Sequence, residues 1–301
     1  MTEKSVRVEA RVFVDPPILM EVPMVIWCVM KPLGSRQESW LGMIQRIVMW
    51  CSGEGQIMVL LKQSVWSLRK EVMPLPLVDK CPTPLGACPI FPVLFLMNYI
   101  IWNSKGAIKP NFQSHVKELA CIHDLAVFVV METRLGGERA KGITDRLPFD
   151  GAIHTNTIGC MGGLWLLWNS DKVEVTLMKK AKQEIHVTIK VQTSNLSWLF
   201  SAIYTSPRFA ERSILWNNLI NVAELHSMPW VIAGDFNEPL SSADKLGGRD
   251  VSIRRSLLLK DCLDRCNMID LGFSGSRFTW DNHRNAHILI QERMDRFFCK
   301  F

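Results

Sequence analysis

The chain has 301 residues, 48% hydrophobic and 21% charged, which is enough to bury one large core or two modest ones and too apolar for a disordered polymer. Its formal net charge of +6 permits an anionic partner without requiring one. Nine cysteines, an odd count with no C-x-x-C pair, speak against a disulfide framework and a cysteine zinc site and favour a reducing compartment.

The chain opens with MTEKSVRVEARVF, which alternates charged and apolar residues, lacks a continuous apolar stretch and is not a secretory signal. In SRQESWLGMIQRIVMWCSG, Ser35 and Glu38 form a capping box, and Trp40, Met43, Ile44, Ile47, Val48 and Cys51 share one face, so a helix is expected there, stopped by Gly53. A weaker helix is expected over 60–72, and MPLPLVDKCPTPLGACPIFP reads as a proline-rich linker. Residues 81–104 carry no charge and are long enough to span a bilayer, but prolines at 82, 84, 89 and 92 break any regular spanning helix. Residues 1–96 hold no chemical constellation and read as a helical or disordered appendage.

From Met97 onward strands and helices alternate, the pattern of a layered α/β domain. MNYIIW ends at Asn103; Asn111 starts a helix running to about residue 124, with Phe112, Val116, Leu119 and Ala120 inward; AVFVVM ends at Glu132. GGLWLLW leads to VEVTLMK and EIHVTIKV, whose alternation predicts antiparallel strands with one wet face. WLFSAIY ends at Tyr204, and a helix follows over 212–225. In WVIAGDFNEPL an apolar strand closes on Gly234, and Asp235 and Asn237, two apart in extended chain, point to one side of its end. A further helix carries Ile253, Leu257, Cys262, Leu263 and Cys266 and stops at Asn267; RFTWDN and ERMDRFF read as a last pair of strands.

A polar residue therefore stands repeatedly at the end of an apolar strand: Asn103, Glu132, Tyr204, Asp235, Asn237 and Asp295. Strand ends in layered α/β folds gather at one edge, where ligands bind. Any one of these residues is more often a cap or turn former, as Asp and Asn are in Asx turns. Together they offer hard oxygen ligands suited to Mg²⁺ and polar hydrogens for phosphate oxygens, a set that fits phosphodiester hydrolysis.

The ordered series IIWNSKGA, FVVMETRL, GGLWLLWNS, SAIYTSPR, WVIAGDFNEPL, DLGFSGSRFTWDN and ERMDRFF resembles the DNase I-like endonuclease/exonuclease/phosphatase superfamily, and in particular the apurinic-endonuclease-like domain of plant LINE-type non-LTR retrotransposons. The likeness spans 97–301. It implies a four-layer α/β sandwich, two mixed or antiparallel sheets flanked by helices, and an endonuclease that nicks DNA with Mg²⁺, for which Mn²⁺ can substitute. It implies Glu132 as metal ligand, Asn103 as the residue that holds the metal and phosphate site together, and Tyr204 as a phosphate contact. Asp235 and Asn237 match the pair that activates and positions the attacking water or the phosphate, Asp295 the aspartate that orients a histidine, and Trp280 a residue of the floor near DNA. The expected partner is DNA, in the nucleus, with no membrane and no protein partner.

Two departures from the pattern stand out. Lys105 occupies a position that is often acidic in repair enzymes of the superfamily. The strand and Ser-Asp-His segment expected after ERMDRFF are missing from this sequence, so a truncated domain with an open sheet edge is expected; His283 and His287 precede Asp295 in a turn. Losing such a histidine costs roughly a hundred- to ten-thousandfold in rate. Two alternatives stay open: a catalytically inactive nucleic-acid-binding module using Lys105, Lys109, Arg134, Arg208 and Arg277, and a phosphoinositide or small phosphoester phosphatase.

Overall fold

The computed structural model describes the backbone of three short strands, β1 (Trp27–Met30), β2 (Val48–Cys51) and β3 (Ile57–Leu60), and residues 97–300 except 156, 158–161 and 274–275. Along 97–300 the strands are β4 (Asn98–Asn103), β5 (Leu125–Met131), β6 (Gly151–His154), β7 (Leu164–Trp168), β8 (Val173–Ala181), β9 (Glu184–Val191), β10 (Ser197–Tyr204) and β11 (Trp230–Asp235). After them come β12 (Lys245–Leu246), β13 (Ile269–Asp270), β14 (Trp280–Asp281), β15 (Gln291–Glu292) and β16 (Asp295–Lys300). The helices are α1 (Phe112–His123), α2 (Gly137–Thr144), α3 (Phe209–Leu225) and α4 (Ile253–Arg265).

Two sheets form the body, one in the order β1-β4-β5-β7-β6 and one in the order β13-β16-β11-β10-β9-β8. Side-chain alternation along each central strand assigns every second residue to one of two cores. Tyr99, Ile101, Val127, Val129 and Leu166 of the first sheet meet Val187, Phe200, Ala202, Val231 and Phe297 of the second. The alternate residues Ile100, Trp102, Phe128 and Val130 pack under Phe112, Val116 and Leu119 of α1. On the far side Leu199, Ile203, Trp230 and Ile232 pack under Leu215, Trp216 and Leu219 of α3 and Leu259, Cys262 and Leu263 of α4. The result is helix, sheet, sheet, helix, the expected four-layer sandwich. Each fully buried aliphatic or aromatic side chain stabilises it by about 1.5–3 kcal/mol.

Several expectations need correction. Residues 48–51, placed in a helix by periodicity, form a strand paired antiparallel with Ile57–Leu60. The run 47–51 is apolar at every position, and a short run of that kind does not separate helix from strand. Residues 35–47 and 61–72 of the expected helices lie outside the described residues. RFTWDN and ERMDRFF pair only where Trp280 meets Glu292: Trp280–Asp281 lies against Gln291–Glu292 in a small sheet with β12, while Asp295–Lys300 joins β11 in the large one. Sequence periodicity also missed α2 and β6, which are too short to show a period.

The flank of β4 that faces away from β5 is covered. Trp27–Met30, from the part read as an appendage, runs parallel to β4 with Trp27 opposite Tyr99 and Met30 opposite Trp102. An uncovered edge presents unpaired N–H and C=O groups to other chains. A fragment limited to 97–301 is therefore expected to self-associate with rising concentration in light scattering, while the whole chain does not. Equal scattering from both would show that β1 does not protect the edge.

One buried polar chain threads the outer core of the second sheet. Trp230 Nε1 donates to Ser201 Oγ at 2.8 Å, and Ser201 Oγ lies 2.6 Å from His186 Nδ1. Having accepted from Trp230, the hydroxyl can donate to Nδ1, which leaves the ring proton on Nε2. That nitrogen faces Glu184 Oε2 at 3.1 Å, a close electrostatic contact whose angle falls short of a hydrogen bond, and Asn218 Nδ2 donates to Glu184 Oε1 at 2.8 Å. Ser201→Ala removes the middle link and strands two buried groups, so a loss of roughly 2–4 kcal/mol is expected in urea unfolding. A midpoint unchanged from wild type would show that the chain of contacts adds nothing to stability.

Candidate active site

The strand register builds the site. Tyr204, the last residue of β10, stands opposite Asp235, the last of β11, and Asp235 stands opposite Asp295, the first of β16. Three oxygen-bearing side chains thus form a row across one end of the second sheet. On the first sheet Asn103 ends β4 opposite Met131, which ends β5, and Glu132 follows directly. Asn103 Nδ2 donates to Glu132 Oε1 at 3.0 Å.

The two rows meet through Tyr204, whose hydroxyl donates to the Glu132 carboxylate. Burial first, then the fields of Glu132 and Asp235, push this phenol far above its usual range, so Tyr204 is a proton donor throughout the working pH range. Asn103, Glu132, Tyr204, Asp235 and Asp295 consequently share one rim. Asn237 joins them: its backbone N–H donates to Asp235 Oδ1 at 2.9 Å, and its Nδ2 donates to Thr205 O at 2.7 Å, with one amide hydrogen left over. Asp235 and Asp295 are each 4% exposed. Trp280 is half-buried on β14, next to Thr279, whose hydroxyl accepts the backbone N–H groups of Met294 and Asp295 at 3.0 and 3.1 Å.

The backbone at the rim is bent into unusual conformations. Lys105, Glu132, Arg134 and Asn237 have φ of 49°, 51°, 58° and 45°, the left-handed region that non-glycine residues adopt at some cost. Neighbouring contacts hold them there. Thr133 N and Arg134 N donate to Gly163 O and Gly162 O at 3.2 and 2.8 Å, and a Cβ on Gly163 would overlap the Thr133 hydroxyl.

Sequence reasoning missed two features. Arg134 presents its guanidinium 3.6 Å from Glu132 Oε2. Behind Asn237 lies a buried ion pair, Arg212 with Glu238 at 2.6 Å, and Arg212 also donates to Ser206 O and Pro207 O at 3.1 and 2.9 Å. It ties the loop leaving β10 to the loop leaving β11. The available signal was Glu238, a carboxylate directly after GDFN and ahead of a proline, where a buried charge requires a partner. Burial raises the Glu238 carboxyl above its ordinary range, against the fields of Arg212 and Arg255.

Of the cations considered for phosphate binding, Lys105, Lys109 and Arg134 gather near Glu132. Burial, then the charges of Arg134 and Lys105, lower the Lys109 ammonium below the usual lysine range, with Glu132 opposing. Arg208 instead faces Glu211, and Arg277 lies over the Phe278 ring. His283 is exposed and paired with Asp281 at 2.7 Å, and His287 is exposed on a short turn.

Among the described residues no group of three or more His, Cys, Asp or Glu side chains is arranged to hold a metal ion. A hydrated Mg²⁺ needs only one or two carboxylates, so Glu132, braced by Asn103, fits that ion in donor chemistry. Among the described residues no helix is long and apolar enough to cross a membrane.

Two face-to-face sheets with helices outside and polar strand ends on one rim define a layered α/β protein with a site at its sheet ends. No protein-family model matches the sequence, and no curated protein matches it. Among solved structures, the AP endonuclease LMAP from Leishmania major superposes with a TM-score of 0.51 at 11% identity, over 67% of this chain and 78% of that one. The endonuclease domain of TRAS1, a telomere-specific non-LTR retrotransposon, gives a TM-score of 0.48 at 14% identity over 64% and 80%. An AP endonuclease from Archaeoglobus fulgidus gives 0.48 at 11% identity over 66% and 84%. The chain has the DNase I-like fold, the layered α/β arrangement that it shares with LMAP.

Proposed function

We propose that residues 97–301 form a divalent-metal-dependent phosphodiester hydrolase that nicks DNA, working in the nucleus with Mg²⁺ or, in its place, Mn²⁺. One observation carries the reading: the row Tyr204, Asp235, Asp295 of one sheet faces Asn103 and Glu132 of the other, joined by the bond between Tyr204 and Glu132. The fold shared with an AP endonuclease supports it by analogy.

The residues divide the work by their chemistry. Glu132 would hold the cation, which when bound supplies charge neutralisation at the phosphate. Asn103 keeps the Glu132 carboxylate in place and accepts the Lys105 backbone N–H at 3.2 Å, so it also shapes the turn beyond β4. Tyr204, held protonated, can turn its one hydroxyl hydrogen from Glu132 to a non-bridging phosphate oxygen, and Asn237 donates there with its spare amide hydrogen. Asp235 takes the proton of an attacking water. Asp295 braces the neighbouring strand end, and Trp280 offers an apolar surface to the sugar and base beside the phosphate.

A binding-only reading draws on the gathering of Lys105, Lys109 and Arg134, which suits phosphate contact without chemistry. Supercoiled-plasmid nicking in Mg²⁺ separates the two. Conversion to open circles by the wild-type chain, lost in Glu132→Ala and in Asp235→Asn, is the expected outcome. Salt-sensitive binding without nicking would establish the binding module, and turnover of a phosphoinositide alone would make it a phosphatase.

A further inference from the structure

The rim of the first sheet carries more positive than negative charge. Glu132 is surrounded by Arg134, Lys105 and Lys109, and both oxygens of its carboxylate are engaged, Oε1 by Asn103 and Oε2 by Arg134 at 3.6 Å. Arg134 is not a loosely tethered neighbour. Its backbone is left-handed with φ of 58°, its N–H is bonded to Gly162 O at 2.8 Å, and its side chain passes close to Gly106. Lys109 is likewise drawn in, donating to Ser104 O at 3.0 Å, and Lys105 sits on the turn closed by its own N–H to Asn103 Oδ1.

A divalent cation approaching Glu132 alone would meet these charges. One unit charge about 6 Å away in a water-like dielectric weakens the binding of a doubly charged ion by roughly tenfold. A tetrahedral anion reverses that balance, because it gives Arg134 and the lysines a partner and brings its own oxygens to the cation.

We propose that divalent cation and anionic phosphate load onto this site together, with Arg134 acting as a positioning residue that withholds Glu132 from the cation until the anion arrives. The inference rests on the reading of Glu132 as the metal-holding residue and deepens it, in that the preferred substrate is one with a charged phosphate to release Arg134. Binding linkage is reciprocal, so the anion must tighten the cation by the same factor as the cation tightens the anion.

Calorimetric titration of the whole chain with Mn²⁺ tests this without reference to activity, using sulfate as a tetrahedral dianion and counting only Mn²⁺ not paired with it in solution. Wild type is expected to bind Mn²⁺ at least about fivefold more tightly in sulfate than in chloride of equal ionic strength. Arg134→Gln is expected to bind Mn²⁺ in chloride about five- to tenfold more tightly than wild type and to lose most of the sulfate effect. Glu132→Gln, which keeps the shape of the side chain, should abolish the tight phase in both salts, with circular dichroism reporting that the fold is retained. Mn²⁺ affinity indifferent to sulfate, an Arg134→Gln variant that binds as wild type does, or no Mn²⁺ binding in either salt would each overturn the proposal. Linkage without any plasmid nicking would refute the nuclease reading alone, and nicking without linkage would refute this inference alone.

Discussion

Asp235→Asn is expected to lower single-turnover plasmid nicking by about a thousandfold, within the range of roughly 10²–10⁴ attributed to a positioned general base. The substitution isolates the charge. An asparagine keeps a carbonyl oxygen where Oδ1 accepts the Asn237 N–H at 2.9 Å, so the turn into Asn237 survives. The backbone ladder of β11 with β10 and β16 is untouched. What disappears is the group able to take a proton from water, because a neutral amide does not. Urea unfolding should therefore match wild type while the rate collapses. A rate within threefold of wild type would remove Asp235 from the chemistry and leave the rim as a binding surface.

Gly234→Ala is expected to be the most damaging change to the fold, costing about 3 kcal/mol or more. Gly234 lies in β11 at φ of 148°, opposite Ile203 of β10 and Arg296 of β16. A Cβ there would overlap the carbonyl oxygen of Ile203, which is backbone and cannot rotate away. The sheet would have to part next to Tyr204 and Asp235, so stability and site geometry fail together. Gly142→Ala is the matching control, since it lies exposed within α2 with open space around it and should gain up to about 1 kcal/mol from helix propensity. A Gly234→Ala protein with the wild-type urea midpoint would show that the strands separate at little cost.

These two positions mark how far the site is legible in the order of amino acids. Asp235, Asn237, Glu132 and Tyr204 stand out there because each follows an apolar strand, and strand periodicity is local. Gly234 stands out only as the closing residue of its strand. Its steric role depends on Ile203, which is 31 positions away and adjacent only through parallel pairing. Arg134 shows the same limit. Two positions after Glu132 in sequence, it reads as a surface cation, whereas the turn into the left-handed region brings its guanidinium to 3.6 Å from the carboxylate.

Side-chain spacing over a few neighbouring residues was enough to set out the alternation of strands and helices along 97–300, the apolar faces that line three cores, and the polar strand ends. Four further relations came from packing alone: which non-consecutive strands lie side by side, the reach of Tyr204 from one sheet to Glu132 on the other, the cover that Trp27–Met30 gives β4, and the buried contacts of Ser201 with His186 and Trp230 in the core. Each of them joins residues far apart along the backbone. They arise when both sheets pack together, and such pairings leave no periodic trace in the chain.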